Sequence, residues 1–188
     1  RTQWALLAAA LFGAITFGRA AEPPPKPLFP GVTPVCPCES LARVTLANTT
    51  IDSATVDSTN GSCRVVATVT HPPSGDRVKV FIGLPATNWN GRFRGNGGGG
   101  FSGGSADSVR GPVAQGYAAG ATDTGHPGGS GSFALAANGR INWQAIQVNS
   151  YPGILDMPVS SDARRGGMEC HFRWRPYSSQ HTSTPLSQ

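Results

Sequence analysis

The chain has 188 residues, 38% of them hydrophobic and 13% charged, with 15 Lys and Arg against 10 Asp and Glu for a net charge of +5. That length supports one compact domain, and so little charge argues against a disordered polyelectrolyte. The 25 Gly and 16 Pro are clustered rather than periodic, so neither collagen nor a repeat array fits.

Residues 1–20 have the layout of a signal peptide. Arg1 precedes an apolar run to Phe17, and Gly18-Arg19-Ala20 places small residues three and one positions before a cut at Ala21. The run is short for a bilayer span of about 20 residues, so no membrane association is expected after cleavage. Residues 21–37 read as an extended, Pro-rich lead-in. The last segment carries Arg164, Arg165, Arg173 and Arg175, but no basic and aromatic residues interleave at strand or helix spacing. A nucleic-acid partner is therefore not expected.

Cysteine usage agrees with export. Cys38 and Cys63 are placed to form a disulfide, whereas Cys36-Pro37-Cys38 has no second pair at metal-ligand spacing, which disfavours zinc. Neither metal nor cofactor is expected.

Further along, Val44, Leu46, Ile51 and Val56 lie among Thr, Ser and Asn, as in short strands joined by polar turns. Val65, Ala67 and Val69 alternate with their neighbours, and so do Val78, Val80, Ile82 and Leu84. His71 to Asp76 supplies the turn between them, which predicts a β-hairpin. Arg92-Phe93-Arg94 reads as a short strand, residues 105–115 as one short helix, and residues 116–122 as a buried strand ending at Asp123. A helix is expected to begin at Asn142, with Trp143, Ile146 and Ser150 on one face. Pro152 and Gly153 are expected to kink or end it. The order suggests the front half of an α/β sheet.

The stretch from Gly95 to Gly104 bears the chemistry. Four consecutive glycines, Gly97, Gly98, Gly99 and Gly100, leave backbone N–H groups unshielded, and such a nest holds an anion or a developing oxyanion. Two motif readings compete here. Gly95, Gly97 and Gly100 satisfy a dinucleotide fingerprint with Asp123 about 20 residues on, but no firm helix opening follows. Gly100-Phe101-Ser102-Gly103-Gly104 matches a nucleophile elbow, with Asp123 and His126 following in triad order. Against it, Asp123 and His126 are nearly adjacent, and Gly103-Gly104 discourages the helix that an elbow requires.

A longer ordered set of motifs points elsewhere. It comprises Cys38-Glu-Ser-Leu41, Leu84-Pro-Ala-Thr-Asn-Trp-Asn-Gly-Arg-Phe93, Gly95-Asn-Gly-Gly-Gly-Gly-Phe101, Gly116-Tyr117, Ala121-Thr-Asp-Thr-Gly-His126 and Ser132-Phe133-Ala134-Leu135. Asn142-Trp143, Asn149-Ser-Tyr151 and Gly153-Ile154…Met157 continue it. Together they resemble the N-terminal part of the tannase and feruloyl esterase family of secreted serine esterases. The resemblance implies an α/β-hydrolase fold and hydrolysis of esters of aromatic acids, feruloyl or galloyl. It makes the segment Gly97 to Gly100 the oxyanion loop and puts Asp123 and His126 near the pocket rim. Any calcium that the family holds in its lid would lie outside this chain.

The family's nucleophile lies in a Gly-Cys-Ser-x-Gly elbow that this sequence lacks, and the likeness stops after Met157. Cys170-His171 is a reversed, unrelated pair. The expected architecture is therefore an N-terminal fragment of an α/β-hydrolase fold over residues 38–157, with a leading β-hairpin and an incomplete sheet. An irregular tail over residues 158–188, possibly out of frame, follows. The chain is expected to be inactive alone, with no catalytic residue in it unless Ser102, Asp123 and His126 form an internal triad. A non-catalytic, secreted, Gly-rich binding module is the alternative of another class.

Overall fold

The computed structural model describes residue 23 and residues 25–156. The signal peptide and the tail, with Cys170, lie outside the described residues. Five strands form one mixed sheet in the order β1-β2-β3-β5-β4. They are β1 (Thr49–Val56), β2 (Cys63–Val69), β3 (Val78–Leu84), β4 (Phe93–Gly95) and β5 (Ala118–Thr122). Among the described residues three short helices accompany them: α1 (Arg110–Ala114), α2 (Trp143–Ser150) and α3 (Pro152–Leu155).

The hairpin expected from alternation is β2 against β3, antiparallel, with Cys63 opposite Leu84 and Val69 opposite Val78. Strand β1 joins on the outer side, with its register slipping between Ile51 and Ser53. The first strand begins later than the spacing of Val44 and Leu46 suggests. Residues Cys38–Arg43 form a 3-10 turn instead, and Leu46 makes only an isolated bridge to Thr49 across Asn48, whose φ is +54°.

Period-2 alternation sorts the core onto two faces. Val65, Ala67, Val80 and Ile82 bury one face together with Ala54, Val69 and Cys63, and Leu41 and Cys38 of the 3-10 turn cover it. The Cys38–Cys63 disulfide pins that turn to the sheet, with Cα atoms 5.4 Å apart. On the opposite face Phe81, Ala119 and Ala121 meet Val109 and Val113 from the start and body of α1. Close approach there depends on Gly83, where a Cβ would stand 2.6 Å from Val113 Cγ2. Each fully buried Val side chain contributes about 1.5–3 kcal/mol of transfer free energy.

Strand β5 is buried throughout and pairs antiparallel with β3 but parallel with β4. The carboxyl ends of β4 and β5 therefore open on the same side. The lead-in docks at the other end of β4, where Leu28 N donates to Asn90 O at 2.9 Å and Arg92 Nη1 to Lys26 O at 2.8 Å.

Asn142 caps α2, its Oδ1 accepting from Ala145 N at 3.1 Å. The helix packs through Val148 rather than through the face of Trp143, which is 71% exposed. The reason is Gly125: a Cβ there would lie 2.6 Å from Val148 Cγ1, so its absence opens the socket that Val148 fills. Pro152 ends α2 and opens α3, where its missing N–H leaves no helical bond unmade.

Candidate functional site

In a sheet with parallel strands, ligands are bound beyond the strands' carboxyl ends. Here the loop of residues 96–104 leaves β4 and the segment of residues 123–133 leaves β5, side by side. Asn96 N donates to Gly120 O at 2.8 Å and Gly104 N to Thr122 O at 2.6 Å, so both ends of the glycine loop are stitched to β5. Between those stitches Gly97, Gly98, Gly99 and Gly100 are exposed. Among the described residues their amides have no protein acceptor, while Ser102 N closes a turn onto Gly99 O at 3.0 Å. The result is a run of unpaired N–H donors at a strand end.

The neighbouring segment clasps this loop. A Cβ on Gly103 would stand 2.3 Å from the carbonyl carbon and oxygen of Asp123. Phe101 meets Phe133 edge-on at 6.1 Å, and Phe133 stacks flat on the His126 ring at 3.8 Å and 3°. His126 is buried, at 6% exposure. Its Nε2 is 3.0 Å from Asn149 Nδ2, which also donates to Thr124 Oγ1 at 2.9 Å. With Asn149 as donor, the ring proton belongs on Nδ1, which faces Pro127 O at 3.5 Å. Thr124 has φ +57°, a left-handed conformation that a β-branched residue rarely adopts, so its surroundings hold it there.

Asp123 serves the backbone. Its Oδ1 accepts from Lys79 N at 2.9 Å and from Gly125 N at 2.8 Å. Burial pushes its carboxyl above the usual carboxylate range, against the opposing pull of those two amides.

Asp123 and His126 thus share a tight turn beside the glycine loop, but they do not assemble with Ser102. Among the described residues no hydrogen bond joins Ser102 to His126 or Asp123 to the His126 ring. Ser102 Oγ instead lies against Gly129, where a Cβ would be 2.2 Å away. No helix follows Ser102 until Arg110, so the strand–Ser–helix geometry of an elbow is missing, as is the helix that a dinucleotide site needs. Cys36 forms no disulfide with a described residue. Among the described residues no three His, Cys, Asp or Glu side chains group as a metal site. No helix there is long and apolar enough to cross a membrane.

Phe133 and Asn149 hold His126, and although both lie in the family-like motifs, neither spacing nor residue type marks them for that contact. Their role depends on contacts across 7 and 23 positions of sequence.

A protein of Arthroderma benhamiae described as "Probable feruloyl esterase" is 36% identical over 121 residues, covering 62% of this chain and 21% of that protein. A tannase of Aspergillus oryzae is 35% identical over 99 residues, covering 50% of this chain and 16% of the relative. The chain therefore spans about a fifth of the length of these relatives. The solved feruloyl esterase B from Aspergillus oryzae matches with a TM-score of 0.50 and 24% identity, over 62% of this chain and 26% of that one. Its likeness makes the mixed sheet with few helices α/β-hydrolase-like. The family described as "Tannase and feruloyl esterase" matches residues 63–163, from β2 through the glycine loop and past α3. With more than half of its residues inside that match, the chain belongs to the tannase and feruloyl esterase family.

Proposed function

We propose that this chain supplies the oxyanion side of a carboxylic ester hydrolase site for esters of aromatic acids, feruloyl or galloyl. The observation that carries the proposal is the row of exposed, unpaired amides at Gly97, Gly98, Gly99 and Gly100 beyond the parallel strand ends. Such donors stabilise the negative charge that develops on the carbonyl oxygen during acyl transfer. The attacking Ser, its His base and the orienting Asp come from outside residues 25–156. The hydroxyl proton passes to the His as the Ser adds to the carbonyl, and returns to the departing alkoxide. The chain alone is then inactive. A Cys38–Cys63 disulfide belongs to an oxidising compartment, which supports residues 1–20 as a signal peptide and an extracellular or periplasmic location. The same reading takes residues 38–157 as the partial hydrolase unit and residues 158–188 as a tail outside it.

Titration of the chain with ferulate and gallate, followed by amide NMR, tests the loop. The carboxylates are expected to shift the Gly97 to Gly100 amides, and silence there with shifts elsewhere would overturn the assignment. Hydrolysis of methyl ferulate by this chain, abolished in Ser102→Ala, would overturn the inactivity and restore the internal triad.

A further inference from the structure

The turn between β2 and β3 holds a histidine that the ester chemistry does not use. His71 Nδ1 lies 2.6 Å from Asp76 Oδ2, and its Nε2 lies 3.1 Å from Asp156 Oδ1, 85 positions along the chain. Both ring nitrogens face carboxylate oxygens. Asp76 belongs to the same turn, and Asp156 follows α3 directly. These two carboxylates are the charged groups facing the ring among the described residues. From α2 only the uncharged Gln144 reaches the turn, its amide donating to Ser74 O.

The two sides of the ring are not equivalent. Asp76 Oδ1 also accepts from His71 N at 3.1 Å and from the Ser74 hydroxyl, so this carboxylate is fixed within the turn. Asp156 is 11% exposed, and His71 is its hydrogen-bond partner among the described residues, with Oδ2 unpaired there. A neutral ring therefore keeps its proton on Nδ1, where Asp76 holds it most strongly. The Nε2–Oδ1 contact at 3.1 Å needs a second proton, on one atom or the other. Without it, two lone-pair acceptors oppose one another at a poorly solvated site.

We propose that His71 is a proton-operated latch: one proton between Nε2 and Asp156 fastens α3 to the β2–β3 turn, and its loss releases α3. Release reaches the glycine-loop side of the molecule. Thr122 Oγ1 donates to Gly153 O within α3, and Asn149 of α2 holds His126. The latch does not require the oxyanion reading, because its contacts are independent of the glycine loop.

The direction of the pH effect follows from the surroundings. Burial disfavours the imidazolium, but the Asp76 hydrogen bond and the Asp156 charge outweigh it and raise the His71 pKa above its ordinary value. The docking that His71 contributes is thus full below the unfolded imidazole value of about 6.5 and lost as pH rises through the folded value. Burial also raises the Asp156 carboxyl, against the pull of His71, which favours the protonated pair in the same direction. Asp76 is held low, since Ser74 and His71 outweigh its burial, so it weakens the turn only in stronger acid.

Ring 15N NMR and amide exchange on the whole chain test the latch. His71 should carry protons on both nitrogens in weak acid and retain Nδ1–H alone above its midpoint. Across that midpoint, exchange at residues 148–156 should accelerate beyond its intrinsic pH dependence, while exchange at Val80 in the core should not. His71→Ala, which has no side-chain donor for Asp156, should exchange fast in that segment at all pH values. Asp156→Asn, whose amide donates to a neutral Nε2, should stay slow through the midpoint. Loss of the Nδ1 proton first, or the same pH profile in wild type and His71→Ala, would overturn the proposal. The ring measurement needs only the wild-type chain, so a variant that fails to fold does not remove the test.

Discussion

Substituting Gly103 by Ala tests whether the glycine loop is seated on the end of β5. The added Cβ would lie 2.3 Å from the Asp123 carbonyl carbon and oxygen, both backbone atoms that no rotamer can move. Ordinary contact begins near 3.4 Å, so the loop and the strand end must part by about 1 Å. If they stay docked, overpacking costs about 1–3 kcal/mol. If the loop lifts, the Gly104 N–Thr122 O bond at 2.6 Å is lost, at a net cost of about 0.5–1.5 kcal/mol. Gly103 does not occupy the left-handed region, so Ala returns roughly 0.4–1 kcal/mol by restricting the unfolded chain. The balance runs from about zero, if the loop lifts, to a loss of about 2 kcal/mol if it stays docked. Gly99→Ala is the matched control, because a Cβ there meets nothing within 4 Å and its backbone is not left-handed. It should be neutral or slightly stabilising. Thermal unfolding compares the two, and amide exchange at Gly104 reports the contact directly. A Gly103→Ala chain as stable as Gly99→Ala, with Gly104 still protected, would refute the seating.

Two further outcomes are expected. Replacing Cys38 and Cys63 together by Ala opens a loop of sequence separation 25, which the chain-entropy relation equates to about 3.5 kcal/mol. For a folded unit of this size that lowers the melting temperature by roughly 10–15 °C, and an unchanged midpoint would remove the 3-10 turn from the cooperative unit. His126→Ala leaves the Asn149 amide without its ring acceptor and removes the Phe133 stack, costing about 1–3 kcal/mol. Amide exchange at Gly103 and Gly104 should quicken with it. Unaltered exchange there would separate His126 from the loop.

The sheet was legible because its physics is local. Val65, Ala67 and Val69 and then Val78, Val80 and Ile82 each alternate once per residue across a turn, and that pattern has one low-energy pairing. The small residues of Gly116 to Thr122 likewise announce a strand buried on both faces. Asn142 was readable as a helix start, yet the packing face of α2 was not, since Val148 is chosen by a vacancy at Gly125 on another element. The glycine loop was visible for the converse reason: it works through backbone, and backbone exposure is written in the glycines themselves. What holds it was hidden, because the Phe101–Phe133–His126–Asn149 chain depends on three segments meeting in space. The His71–Asp156 contact is more distant still, and nothing in either residue's neighbourhood announces the other.

Under the proposed function, the same geometry bears on the source of the reacting hydroxyl and its base. A general base needs an imidazole lone pair directed at the nucleophile and a carboxylate directed at the opposite nitrogen. In His126 the Nε2 lone pair accepts from Asn149, the ring is 6% exposed, and Phe133 lies flat on it. Asp123 points its carboxylate at the Lys79 and Gly125 amides, where it closes the β3–β5 end rather than orienting a ring. Freeing both groups for Ser102 would break these three hydrogen bonds and the stack. At roughly 0.5–1.5 kcal/mol for each hydrogen bond, the loss of about 1.5–4.5 kcal/mol is a large share of the roughly 5–15 kcal/mol that holds a domain folded. The contacts of Asp123 and His126 are thus those of a turn that braces the neighbouring glycine loop. Under the proposed function, an ester at the amide row would meet donors for its oxyanion, and the base would come from chain outside residues 25–156.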